Sequence, residues 1–327
     1  MKQIAKDILT ALFMGLLLPG SLLNVTVKLL DIRAGQTPPQ ETAPETVPET
    51  VPETVALTMY LRSPEGTVTP MDMDTYLVGV VLGEMPTSFE PEALKAQAVA
   101  ARTYTQKAKE TGGKHGDGSV CTSSNCCQAY VSESDYLLRG GTEEALEKVR
   151  RAVAATSGYV LTYGGALIEA TYFSCSGGST EDAAAVWGAD FPYLRAVDSP
   201  GEEDAPHDTD TVTFTPQAFQ NALGRTLSGA PGTWFGEVTY TDGGGVDTMV
   251  ISGEVYSGTQ LRGLLSLRST AFTVAATDTQ ITVTTHGYGH RVGMSQYGAD
   301  AMAVTGSSYA EILEHYYPGT ELVRLES

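Results

Sequence analysis

Glu84 stands where an apolar residue would be expected. Helical spacing from an N-cap at Asp74 puts Leu77, Val80 and Val81 on one stripe, and Glu84 takes its next position. Pro86 prevents the helix from running far past it. Burial desolvates a carboxylate and so favours its protonated form. A carboxyl group that keeps its proton near neutral pH is equipped to act as a general acid. At a frayed helix end the same residue would face water or pair with a lysine, and spacing alone leaves both readings open.

Three further groups are dense in reactive or hydrogen-bonding side chains. His115, Cys121 and Cys127 are spaced H-x5-C-x5-C in a glycine-rich segment, residues 112–130. Thiolates and an imidazole are donors that zinc takes tetrahedrally. Cys126, Cys175, a carboxylate or a water would complete the set. A disulfide is the alternative, since an exported chain permits one. The stretch TYFSCSGGST, residues 171–180, carries a strand into Ser174, Ser176 and Gly177. It offers hydroxyls and bare backbone to a ligand, or makes a tight turn. The stretch HGYGHRVGMSQYGA, residues 286–299, is a glycine loop that enters a helix near Ser295. His290, Ser295, Gln296 and Tyr297 form a polar and aromatic cluster there, of the kind that holds sugars. A structural loop is the plainer reading of any one of them.

The elements that must position these groups follow from the surrounding pattern. Leu57 to Met71 reads as a strand pair with Pro64-Glu65-Gly66 as its turn. Pro91 suits the first turn of a second helix, EALKAQAVAARTYTQKAK. Lys95, Val99, Arg102 and Gln106 share one side of it. Lys95 and Gln106 read as a solvated face, whereas the alanines around Arg102 leave its role open. A third helix runs from about Thr142, with Leu146, Val149 and Val153 buried and Ser157-Gly158 as its end. YVLTY and ALIEATYFS read as a hairpin around Gly164-Gly165. Residues 198–210 are acidic and loop-like. Thr215-Pro216 opens a short helix, and residues 211–285 are rich in strands with one helix near GTQLRGLL. The chain ends in helices, the last capped by Ser308 with Glu311. This order predicts an α+β fold.

The chain has 327 residues, a net charge of −19, five histidines and four cysteines. The acidic balance argues against binding nucleic acid through its phosphates. Ile8 to Val27 is free of charge and follows Lys2 and Lys6, which predicts one membrane crossing with the N-terminus in the cytoplasm. No small-x-small cleavage site is clear after it, so an uncleaved anchor over residues 1–35 is preferred to a signal peptide. Residues 36–56 repeat Pro-Glu-Thr and predict a semi-rigid spacer. At about 3.1 Å per residue it holds the folded part roughly 60 Å from the bilayer.

QAVAARTYT (97–105), TYFSCSGGST (171–180) and GYGHRVGMSQYGA (287–299) resemble the stage II sporulation protein D family. Glu84, in GEMP, sits where that family has its catalytic glutamate. The resemblance covers about Leu57 to Leu322, so residues 57–327 would form the family's catalytic domain. His115, Cys121 and Cys127 look like the zinc motif of its metal-containing members, with zinc in a structural role. The resemblance implies a membrane-anchored, extracytoplasmic lytic transglycosylase. Its substrate would be peptidoglycan glycan strands that have lost their stem peptides. It would act during forespore engulfment, in the space between mother cell and forespore. Its partners would be the amidase stage II sporulation protein P and the membrane protein stage II sporulation protein M. Arg102, Ser174, Ser176, Gly177, His290, Ser295, Gln296 and Tyr297 would bind the glycan. Arg291-Val292 departs from a loop that often has glycine after the histidine. Two other classes fit parts of the pattern: a glycan-binding activator of an amidase, and a zinc hydrolase that uses the Cys/His group.

Overall fold

The computed structural model describes residues 55–326. The expected anchor, and all but the last two residues of the spacer, lie outside them. No helix among the described residues is long and apolar enough to cross a membrane.

Strands β1 (Thr58–Arg62) and β2 (Val68–Asp72) form the expected antiparallel pair. Helix α1 (Met73–Glu84) follows directly, capped by Asp72, whose Oδ1 accepts from the Thr75 N–H at 2.8 Å. Asp74, the expected cap, lies inside the first turn. Met73 and the run Tyr76 to Leu82 are all buried, so α1 is enclosed on every side rather than along one stripe. Met85 turns extended ahead of Pro86 and ends it.

Helix α2 (Pro91–Thr111) begins at the expected proline and ends at Gly112 in the left-handed conformation. It is the central element of the first core. Its buried alanines at 93, 96, 98, 100 and 101 let neighbouring elements approach closely. Strand β3 (Val120–Cys121) pairs with β1. Helices α3 (Glu133–Leu138) and α4 (Glu143–Ala155) come next, and Leu146, Val149 and Val153 are buried as expected. Strands β4 (Tyr159–Tyr163) and β5 (Ala166–Leu167) turn at Gly164-Gly165, where both residues have positive φ.

Beyond β6 (Tyr172–Phe173), β7 (Gly178–Ser179), α5 (Ala183–Trp187) and β8 (Asp198–Ser199), a second core begins. It lies among β9 (Thr209–Phe214), α6 (Pro216–Leu223), β10 (Phe235–Tyr240), β11 (Val246–Ile251), β12 (Glu254–Ser257), α7 (Gly258–Leu264), β13 (Ala271–Ala276) and β14 (Ile281–His286). Two three-stranded sheets, β10-β11-β12 and β13-β14-β9, enclose Phe219, Trp234, Ile251 and Val283. The chain then returns to the first core through β15 (Met294–Ser295), α8 (Gln296–Val304), α9 (Tyr309–Tyr316) and β16 (Glu321–Arg324). Ser308 and Glu311 form the capping box on α9. The fold is α+β, with many short strands.

Candidate active site

Glu84 is the last residue of α1 and lines a cleft of about 680 Å³. Its position depends on a close approach between α1 and residues 129–131. A Cβ on Gly83 would stand 2.8 Å from the Tyr130 nitrogen, so only glycine admits that backbone. The approach delivers the Ala129 N–H to Glu84 Oε1 at 2.6 Å. Gln296 Nε2 reaches Oε2 from α8 at 3.5 Å, and the Tyr172 hydroxyl stands beside the group. Burial raises the Glu84 pKa above the ordinary carboxyl value, against the pull of Ala129, Gln296 and Tyr172.

The second and third sequence motifs meet at this cleft. Strand β15 pairs in parallel with β6, matching Met294 with Tyr172 and Ser295 with Phe173. Cys175 bridges Tyr288, and the Tyr297 N–H donates to the Ser174 carbonyl at 3.0 Å. Ser174, His290 and Gln296 thereby share the cleft wall with Glu84. His290 Nδ1 accepts from the Val292 N–H at 3.1 Å, and its ring packs against Phe173 and Trp187. Burial lowers the His290 pKa to about 4, helped by Arg262 and Lys114, so its imidazole is neutral near pH 7.

Arg102 is not in the cleft. It is fully buried, 2.9 Å from Asp74, and donates to the carbonyls of Thr156 and Tyr159. Its alanine neighbours mark a buried helix face, so it locks α1 and the end of α4 together rather than touching a glycan. Ser176 and Ser295 are likewise fully buried. Ser176 donates to Glu202 at 3.0 Å, and Ser295 caps α8 by accepting from the Gly298 N–H. Gly177 packs on the 286–287 backbone, and Tyr297 lies edge-on to Phe89; neither lines the cleft. Four lining residues were not singled out by the sequence: Gln128, Tyr172 and Tyr288, which lie within the marked stretches, and Trp187, which lies outside them. Gln128 accepts from the Tyr172 hydroxyl at 2.8 Å and donates to Tyr76 and Thr105.

His115, Cys121, Cys126 and Cys127 form one cluster, their donor atoms within 4.8 Å of one another. None of the four cysteines is in a disulfide, and Cys175 is buried at the Tyr288 bridge. Cys126 is therefore the fourth side chain of the cluster. The Cys126 and Cys127 sulfurs are 3.8 and 3.5 Å from His115 Nε2, and 3.9 Å from each other. Metal–sulfur bonds of about 2.3 Å give tetrahedral edges near 3.8 Å, so this donor set fits a tetrahedral metal. Burial raises the Cys121 thiol, but the Ser123 N–H, His115 and the other two thiols outweigh it and bring the pKa down to about 7. The cluster adjoins the cleft. Cys127 lines it, and the chain runs on through Gln128 to the Ala129 N–H on Glu84.

Residues 62–163 match a family model described as "Stage II sporulation protein". The chain is 41% identical to Stage II sporulation protein D of Bacillus subtilis (strain 168), over 80% of its own length and 77% of that protein. It is 40% identical to Stage II sporulation protein D of Bacillus amyloliquefaciens, over 81% of this chain and 78% of that one. It is 31% identical to the Amidase enhancer of Bacillus subtilis (strain 168), over 75% of this chain and 40% of that protein.

Proposed function

This chain belongs to the stage II sporulation protein D family, and on that premise we propose that it is a lytic transglycosylase of peptidoglycan with Glu84 as its acid and base. One observation carries the proposal: a single desolvated carboxyl group lies in the cleft wall, fixed by the Ala129 N–H. Hydrolysing glycosidases flank the bond with two carboxyl groups. Among the described residues along this cleft the other carboxylate is Glu169, which is paired with Lys107 at 2.8 Å and keeps 36% of its side chain exposed.

Glu84 gives its proton to the glycosidic oxygen as the C1–O bond breaks. The resulting carboxylate, supported by Ala129 and Gln296, takes the proton of the sugar's own C6 hydroxyl. That oxygen bonds to C1, closing a 1,6-anhydro ring. The proton is back on Glu84, and no water has been consumed. Neutral His290 and Ser174 would hold the sugar by hydrogen bonds. A metal on His115, Cys121, Cys126 and Cys127 would be zinc by donor type, with a structural role. Four protein donors leave no open position for a reactive water, which disfavours the zinc-hydrolase reading.

By resemblance, the substrate would be strands already stripped of stem peptides. The protein would act outside the cytoplasm during engulfment, anchored through residues 1–35 and working beside the amidase stage II sporulation protein P and stage II sporulation protein M. The test is the mass of fragments released from peptide-free strands. Transglycosylation leaves ends one water lighter than hydrolysis does. The relative named Amidase enhancer favours a second reading, a glycan-binding activator without cleavage. Release of no fragments, with binding retained, would select it.

A further inference from the structure

We propose that Trp187 is the stacking platform of a glycan subsite in the cleft that holds Glu84, binding the apolar face of one hexosamine ring. The inference rests on the glycan-cleaving reading above and names a contact that sequence spacing did not mark. Trp187 ends α5, a helix of five residues in which only Ala183 is buried. Tryptophan is on average a highly buried residue. Here it stays 44% exposed in the cleft wall, with one side against the His290 ring at 5.1 Å. Among the described residues its indole N–H has no partner, so it is free to meet a sugar hydroxyl or acetamido oxygen. A large flat apolar face with one polar edge suits a pyranose, whose C–H groups form a face and whose hydroxyls lie at its rim.

The two rings are carried by segments that meet at one buried ion pair. Arg291 takes a left-handed φ of +65° and buries its guanidinium against Glu181 at 2.9 Å, while the Glu181 N–H donates to the Arg291 carbonyl at 2.6 Å. Arg291 also binds the carbonyls of Ser176, Ser179 and Gly243. The residue before Arg291 is His290, and the helix that follows Glu181 carries Trp187. One buried ion pair therefore sets both partners of the aromatic contact. This gives a purpose to an arginine in a position where backbone strain disfavours any residue but glycine.

The chain has two tryptophans, which makes the proposal measurable. Trp234 is 3% exposed in the second core, and its indole N–H donates to the carbonyls of Ser228 and Gly229. Iodide should quench Trp187 and spare Trp234. The full-length, metal-loaded Glu84→Gln protein, which cannot turn over, is titrated with purified peptide-free glycan strands, with affinity read by calorimetry. Saturating glycan should remove most of the iodide quenching. Trp187→Ala should weaken binding about tenfold, while Trp187→Phe should keep most of it and lose the quenchable signal. Saturation without protection from iodide would overturn the proposal. So would wild-type affinity in Trp187→Ala, or no glycan binding by the parent protein. Protection from iodide in a protein whose wild type makes no 1,6-anhydro ends would sustain the subsite and reject the reaction.

Discussion

The Ala129 N–H donates to Glu84 Oε1 at 2.6 Å, two residues after the metal-type donor Cys127. Three consecutive residues thus run from a thiol of the Cys/His cluster, through Gln128 bonded to Tyr172, to the acid itself. Order in the cluster and geometry at the acid are coupled through that short piece of backbone.

The first prediction follows. Protein purified under reducing conditions should contain one zinc per chain. Stripping it with a strong chelator, or making His115→Ala, should lower the melting temperature on the order of 5 °C and reduce cleavage, because the loop that carries Ala129 loses its anchor. Metal analysis beside thermal unfolding checks this. Metal-free protein with full activity would contradict it.

The second concerns pH. Burial raises the folded-state pKa of Glu84, so the folded protein holds this proton more tightly than the unfolded chain. The associated stability is present below the ordinary carboxyl pKa and is lost as pH rises through the raised value. Glu84→Gln does not titrate, so its stability advantage over wild type should grow across that window. Cleavage needs the protonated acid and should fall about tenfold per pH unit above the raised pKa. Parallel pH series of denaturation and turnover would reveal both slopes, and a rate that stays flat into alkaline solution would exclude Glu84 as the acid.

Arg102→Ala should act on stability. It removes the fully buried partner of an ion pair, leaving Asp74 to Ser157 Oγ and taking a donor from the Thr156 and Tyr159 carbonyls, at a cost of about 3 kcal/mol. Melting should drop on the order of 10 °C, with glycan affinity of the remaining folded protein unchanged in calorimetry. Weakened affinity at unchanged stability would return Arg102 to the binding site.

How much of this was legible depended on the range of the signal. Glu84 was visible because an acid on an apolar spacing is a local anomaly. The burial of Arg102 is not legible, because alanines on a helix face are compatible with packing and with a binding surface alike, and its partner Asp74 also reads as a cap. Cys126 was ambiguous because adjacent thiols have no spacing pattern; only folding shows that both face His115. Trp187 sits on five helical residues, too few for periodicity, and meets His290 across about a hundred residues of chain. The strand-rich section was readable from its alternation, but its pairing of β9 with β14 joins residues some seventy apart.

Glu169 supplies the control on carboxylate number. Glu169→Gln should cleave within a few-fold of wild type, against the 10²–10⁴-fold scale expected for a catalytic acid. Steady-state cleavage of peptide-free strands measures it. A loss as deep as that of Glu84→Gln would instead indicate a two-carboxylate mechanism.

The most direct test digests peptide-free glycan strands with wild type and with Glu84→Gln and reads the ends by mass spectrometry. The account predicts 1,6-anhydro ends from wild type and a loss of at least about 10⁴-fold from Glu84→Gln, since one group performs both proton transfers, with glycan binding kept. Reducing ends from wild type, or 1,6-anhydro ends still released rapidly by Glu84→Gln, would contradict it.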